Sequence, residues 1–142
     1  MSPQRLWATS LAVAGFLDCS LGLYHFVLPN QMQWRSGLGG VPDSLTWALF
    51  ALNFSWSLLV TLLGCLMFYA ARQRLPVDRF TRATLVVAGL FWMLHGAYTC
   101  VHPFPLPPSY AALEAALLVF PLVAAAAHWL PLALRAHRID SA

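Results

Sequence analysis

Of the 142 residues, 60% are hydrophobic and only 9% are charged. A water-soluble domain carries charge on roughly a quarter of its residues, so this composition excludes an ordinary soluble globular protein. The net charge of +3 comes from arginines at the ends of apolar runs, which makes it a signal of membrane topology and lipid contact rather than of a nucleic-acid partner.

Four apolar runs stand out: Leu6–Leu28, Leu45–Ala71, Ala83–Val101 and Tyr110–Leu134. Each is close to or beyond the roughly 20 residues that a helix needs to cross the hydrocarbon core. Backbone groups in lipid must be satisfied internally, so the runs predict helices. The expected fold is all-α: a polytopic membrane protein with one domain over residues 1–142, built as an up-down-up-down bundle of four transmembrane helices at about 6–29, 44–71, 83–102 and 109–134.

The first helix follows Arg5. Ala12-Val13-Ala14 resembles a signal-peptidase site, but the apolar stretch before it is short and hydrophobicity continues to Leu28. Retention as a membrane helix is therefore the expectation. At 100° per residue, Asp18, Gly22 and His25 share one face. The outer link that follows, Pro29 to Asp43, is glycine-rich and carries Trp34, a residue suited to the membrane interface. Asp43 or Ser44 is the expected N-cap of the second helix.

In the second helix, Thr46, Asn53, Ser57 and Gly64 form the polar stripe. A basic cytoplasmic link, Arg72 to Arg82, leads to the third helix, where Trp92, His95, Thr99 and His102 share a face. The next link contains Pro103, Pro105, Pro107 and Pro108. Prolines fix φ and lack an amide donor, so it is expected to be a short, stiff strut that holds His95 opposite Glu114. The fourth helix carries Tyr110, Glu114, Pro121 and His128 on one stripe, and a frayed tail from Ile139 to Ala142 is expected to follow. Cys19, Cys65 and Cys100 lie inside the apolar runs without a C-x-x-C pair and are expected to serve as small packing residues.

With four crossings, Arg5, Arg72, Arg74, Arg79, Arg82, Arg135 and Arg138 fall on one side and Arg35 alone on the other. The positive-inside rule then puts both termini in the cytoplasm. Counted from the outer helix ends, His25 lies about 6 Å deep, Glu114 about 8 Å, His95 about 9 Å, Asn53 about 14 Å and Asp18 about 16 Å. An intramembrane charge costs on the order of 2.5–3.5 kcal/mol, so such groups are functional candidates. Their similar depth predicts one polar pocket opening outward.

That pocket suits a small hydrophobic or redox-active molecule of quinone, lipid or isoprenoid type. Tyr24, Trp56, Phe91, Trp92 and Tyr98 would enclose its body, with Asn53 as a hydrogen-bonding partner. Asp18, His25, His95 and Glu114 would orient it or exchange protons with it, as buried carboxyl and imidazole groups do. Alternatives stay open. His25 and His95 can ligate a transition metal, although no H-x-x-x-H or E-x-x-H spacing is present. The same pair can be axial ligands of a non-covalent haem. The chain can instead be a proton-linked carrier, or a non-catalytic assembly partner in a homo-oligomer or larger membrane complex.

The first-helix end GLYHFVLP (Gly22–Pro29), the glycine-rich link to VPDS (Val41–Ser44) and the basic turn between the second and third helices resemble the DoxX-like group of small four-helix bacterial membrane proteins. The resemblance implies the bacterial inner membrane and the company of quinone-linked oxidoreductase subunits. It assigns no catalytic residue.

Overall fold

The computed structural model describes residues 3–73, 78–103 and 111–139. Its elements are α1 (Pro3–Gln31), a short α2 (Trp34–Gly37), α3 (Asp43–Gln73), α4 (Arg79–Val101) and α5 (Ala111–Ile139). No strand occurs among the described residues, and the protein is all-α. Four of these helices are long and apolar enough to cross a membrane: 27 residues in α1, 31 in α3, 23 in α4 and 24 in α5. The chain is a multi-pass membrane protein.

The outward faces support that placement. On α3, Leu45, Leu52, Leu59 and Leu66 are all exposed and follow one another at seven-residue steps. On α4, Phe80, Val87, Leu94 and Val101 repeat the pattern. Seven residues are almost two turns, so each set forms a straight stripe about 32 Å long. That length matches the hydrocarbon thickness of about 30 Å. Large apolar stripes facing outward would be a liability in water and are the expected surface in lipid.

Contacts group the chain into two units, residues 15–69 and residues 1–14 with 70–142. Within residues 15–69, α1 and α3 run antiparallel. Gly15 meets Gly64 and Met67, Gly22 meets Ser57 and Thr61, and Phe26 meets Phe54, whose ring centroid is 5.6 Å away. Within the other unit α4 and α5 are also antiparallel, with Gly89 under Trp129, Trp92 against Phe120 at 5.5 Å and Gly96 against Pro121. Trp92 has no exposed surface, and Leu85, Ala88, Ala124 and Ala125 are buried in the same unit.

The hydrophobic effect does not draw helices together once they are in lipid. Close packing and interhelical hydrogen bonds must do so, and small residues make them possible. The α1–α3 seam follows that rule. A Cβ on Gly22 would lie 2.7 Å from the Thr61 nitrogen and 2.8 Å from the Ser57 carbonyl oxygen. A Cβ on Gly64 would lie 2.7 Å from the Cys19 nitrogen and 2.7 Å from the Gly15 oxygen. These neighbours are backbone atoms, so they cannot swing aside.

Several sequence expectations need correction. α1 and α3 begin earlier and end later than expected, continuing to Gln31 and Gln73; α4 starts at Arg79, and α5 reaches Ile139. Helix thus extends past the apolar runs, because arginine, glutamine and alanine at the ends are good helix formers. The link between α1 and α3 is not all loop, since Trp34–Gly37 makes a helical turn after Gln33, whose φ is 49°. Neither Asp43 nor Ser44 is the N-cap. The nitrogens of Leu45 and Thr46 both bond the Pro42 oxygen at 3.0 Å, so Pro42 holds that position and Asp43 sits in the first turn. Most of the proline strut, residues 104–110, and the last three residues of the tail, 140–142, lie outside the described residues.

The N-terminus of α4 is capped by Asp78, whose Oδ1 accepts from the Thr81 nitrogen at 2.7 Å. That hydrogen bond favours the carboxylate and holds its pKa below the ordinary value. A depressed carboxylate pKa stabilises the folded state above the unfolded-chain value of about 3.9. The contribution is lost as pH falls through the lower, folded value. Acidification from pH 6 to pH 3 is therefore expected to lower the protection factors of the first-turn amides of α4, each rate being divided by the intrinsic exchange rate at that pH, and Asp78→Ala should show the low protection at both pH values.

Candidate functional site

The polar cluster with the most defined geometry lies between α1 and α3. Its origin is Pro29, a buried proline inside α1. A helical proline has no N–H, so the carbonyl four residues earlier loses its donor. That carbonyl belongs to His25. Asn53 of α3 supplies the missing donor: its Nδ2 gives a hydrogen bond to the His25 oxygen at 2.8 Å. The same amide turns its Oδ1 to the imidazole, 3.2 Å from Nδ1.

This pairing fixes the imidazole tautomer. A backbone carbonyl only accepts, so the Asn53 nitrogen must face it. Oδ1 then faces the ring, and it too only accepts. Nδ1 of His25 must therefore carry the proton, and in the neutral ring Nε2 carries the lone pair. Trp56, one turn along α3, lies with its ring centroid 4.2 Å from the imidazole at 53°. Tyr24 presents an edge at 6.1 Å and is exposed. His25, Asn53 and Trp56 are each half-buried.

Below this pair the cluster continues down the seam. The Ser57 hydroxyl donates to the Asn53 carbonyl at 2.6 Å, and the Thr61 hydroxyl donates to the Ser57 carbonyl at 2.7 Å. Hydroxyls that bond back to their own helix leave no stray donor in lipid. Asp18, seven residues before His25 and on the same face of α1, has no exposed surface at all. Ser57 of α3, which meets Gly22, is equally buried.

The remaining candidates lie in the other unit. His95 is half-buried and stacks on Phe91 at 6.2 Å and 17°, while Trp92 meets its ring at 5.8 Å and 88°. Tyr98 is exposed and lies 4.9 Å from His102, itself exposed at the end of α4. Glu114 is exposed. The α4–α5 register explains why. Gly96 faces Pro121, so Glu114 is level with residue 103, beyond the end of α4 at Val101. His95 is level with Leu122, about 12 Å from Glu114 along the helix. The expected facing of His95 and Glu114 is therefore not what this pair of helices makes.

Two features escaped sequence reasoning. His128, given no role in the expected pocket, has no exposed surface, and its Nδ1 donates to the Ala124 carbonyl at 2.8 Å. The signal was its place on the Pro121 stripe. Cys19 and Cys65, read as scattered packing residues, stand with their sulfurs 3.9 Å apart. The signal there was the neighbouring Gly15, Gly22 and Gly64, which mark where the two helices nearly touch. Among the described residues, no three of His, Cys, Asp or Glu gather as a metal-binding set.

Comparison with known proteins returns no match: no family model, no curated protein and no solved structure is detectably similar to the chain.

Proposed function

We propose that this protein holds a small hydrophobic molecule with a hydroxyl- or carbonyl-bearing head, of quinone, lipid or isoprenoid type, at the α1–α3 face around His25. One observation carries the reading: an intramembrane imidazole locked in a single tautomer by a reciprocal bond to Asn53. A neutral Nε2 accepts a hydrogen bond or a proton from a hydroxyl head, and the protonated ring donates to a carbonyl head. Asn53 fixes the ring's orientation, so no rotational freedom is lost when the ligand arrives. Trp56 and Tyr24 supply flat apolar surface beside it. The fully buried Asp18, two turns earlier on the same face of α1, is the second polar group on that side of the helix.

The arginine distribution favours cytoplasmic termini, which would put His25 in the outer half of the membrane. The DoxX-like resemblance of the Gly22–Pro29 segment, which includes His25, agrees with a quinone-type ligand and a bacterial inner membrane.

The test uses protein purified in a mild detergent and titrated with decyl-ubiquinol, followed by tryptophan fluorescence. Saturable quenching is expected. His25→Ala should weaken it about tenfold, the worth of one buried hydrogen bond. Helix content by circular dichroism serves as the folding control. Identical affinity in a folded His25→Ala protein, or no saturable quenching in the wild type, would reject the site and favour a purely structural role in an assembly.

A further inference from the structure

The α1–α3 seam carries a second chemically distinct pair. Cys19 stands on α1 between Gly15 and Gly22, on the face turned to α3, and Cys65 follows Gly64 on α3. Their sulfurs are 3.9 Å apart. The Cys19 thiol donates to the Thr61 carbonyl at 3.5 Å, which leaves the Cys65 thiol to donate toward Cys19. A disulfide needs Cβ atoms about 3.8 Å apart. Most helix pairs keep their backbones too distant for that, but this crossing is lined by glycine on both sides. The backbones approach closely there, and the two sulfurs already stand 3.9 Å apart.

The two thiols differ in access. Cys65 is exposed and Cys19 is half-buried. On a membrane-spanning helix, exposure means contact with acyl chains, so whatever reaches Cys65 must dissolve in lipid. A thiol open to its oxidant with a second thiol in contact behind it is the layout of a reactive cysteine and its resolving partner. Metal binding is the competing use of two thiols. It would place two thiolates in hydrocarbon, where charge is costly, and no third ligand joins them among the described residues. A disulfide is neutral.

We propose that Cys19 and Cys65 are a redox-active dithiol that reacts with hydrophobic organic hydroperoxides and closes into an interhelical disulfide clamping α1 to α3. In the first step the Cys65 sulfur attacks the terminal peroxide oxygen as its proton passes to the departing oxygen, so that no free thiolate stands in hydrocarbon. The S–O bond forms and the O–O bond breaks. The alkoxide leaves with the thiol proton as an alcohol, and Cys65 becomes a sulfenic acid. In the second step the Cys19 sulfur attacks the Cys65 sulfur. The S–S bond forms and the S–O bond breaks, and hydroxide leaves with the Cys19 proton as water. Two thiols and one hydroperoxide thus give one disulfide, one alcohol and one water. This chemistry does not depend on a ligand at His25.

The experiment treats the full chain in lipid nanodiscs with cumene hydroperoxide, then denatures it and counts thiols with N-ethylmaleimide by intact mass. Two of the three thiols should be lost, the mass should fall by two hydrogens, and a phosphine reductant should restore both thiols. Peptide mapping should join Cys19 to Cys65. Cys100→Ser should behave as the wild type. Cys19→Ser should leave Cys65 as a sulfenic acid that dimedone captures, and Cys65→Ser should keep its thiols. Full retention of thiols in the folded wild type would overturn the proposal. So would a bridge to Cys100, or oxidation of Cys65 past the sulfenic acid with Cys19 still reduced.

Discussion

Replacing Gly22 with valine is expected to separate α1 from α3 and to cost about 1–3 kcal/mol, the range for overpacking a tight interior. The added Cβ would clash with the Thr61 side chain and would stand 2.7 Å from the Thr61 nitrogen and 2.8 Å from the Ser57 oxygen. Relief requires the helices to move apart as rigid bodies. Moving them apart lengthens every bond across the seam, including both His25–Asn53 bonds and the Cys19–Cys65 contact. The effect should therefore exceed what one methyl-sized clash suggests. Reversible unfolding in mixed micelles of mild detergent and dodecyl sulfate, followed by tryptophan emission, gives the measurement. Gly37→Val is the control, because a Cβ at Gly37 would meet nothing within 4 Å. Equal stability of Gly22→Val and Gly37→Val would show that the seam is not held by close approach.

The loss at Gly22 also marks what the sequence disclosed and what it withheld. The four spans were legible because lipid leaves the backbone no choice but helix. The inward faces were legible because 3.6-residue periodicity sorts a helix into sides: Gly22 meets Ser57 and His25 meets Asn53 as their stripes suggested. What periodicity cannot supply is the height at which two helices cross. That depends on where glycines allow contact and on how far each helix runs. Glu114 shows the consequence, since it shares the Pro121 face yet extends beyond the end of α4 and is exposed. The cysteines show the converse, because residues 46 apart in sequence meet once the glycines set the height. His128 lies on the same stripe as Pro121 and is fully buried, as the inward direction of that stripe implies. Here Pro131 is itself fully buried, and Trp129 covers Gly89.

Asn53 and Pro29 provide the second large effect, and it is one of coupling. Asn53→Ala strands two groups at once: the His25 carbonyl, which Pro29 has deprived of its helical donor, and the Nδ1–H of the ring. Water is scarce within a membrane-spanning segment, so the loss of these two bonds should cost about 1–3 kcal/mol. Pro29→Ala changes the accounting. Alanine restores the N–H that reaches the His25 carbonyl along α1, and Asn53 is then needed only by the ring. In the Pro29→Ala background, Asn53→Ala should therefore cost less by about 1 kcal/mol, within the range that double-mutant cycles find for membrane hydrogen bonds. A second readout isolates the imidazole. Nitrogen NMR of labelled His25 should report a protonated Nδ1 in both the wild type and Pro29→Ala, and a mixture of tautomers in Asn53→Ala. Strict additivity of the two substitutions, or an unchanged tautomer without Asn53, would mean that the proline gap is filled by some other donor. In that case His25 would owe its orientation to contact with the Trp56 ring rather than to the amide.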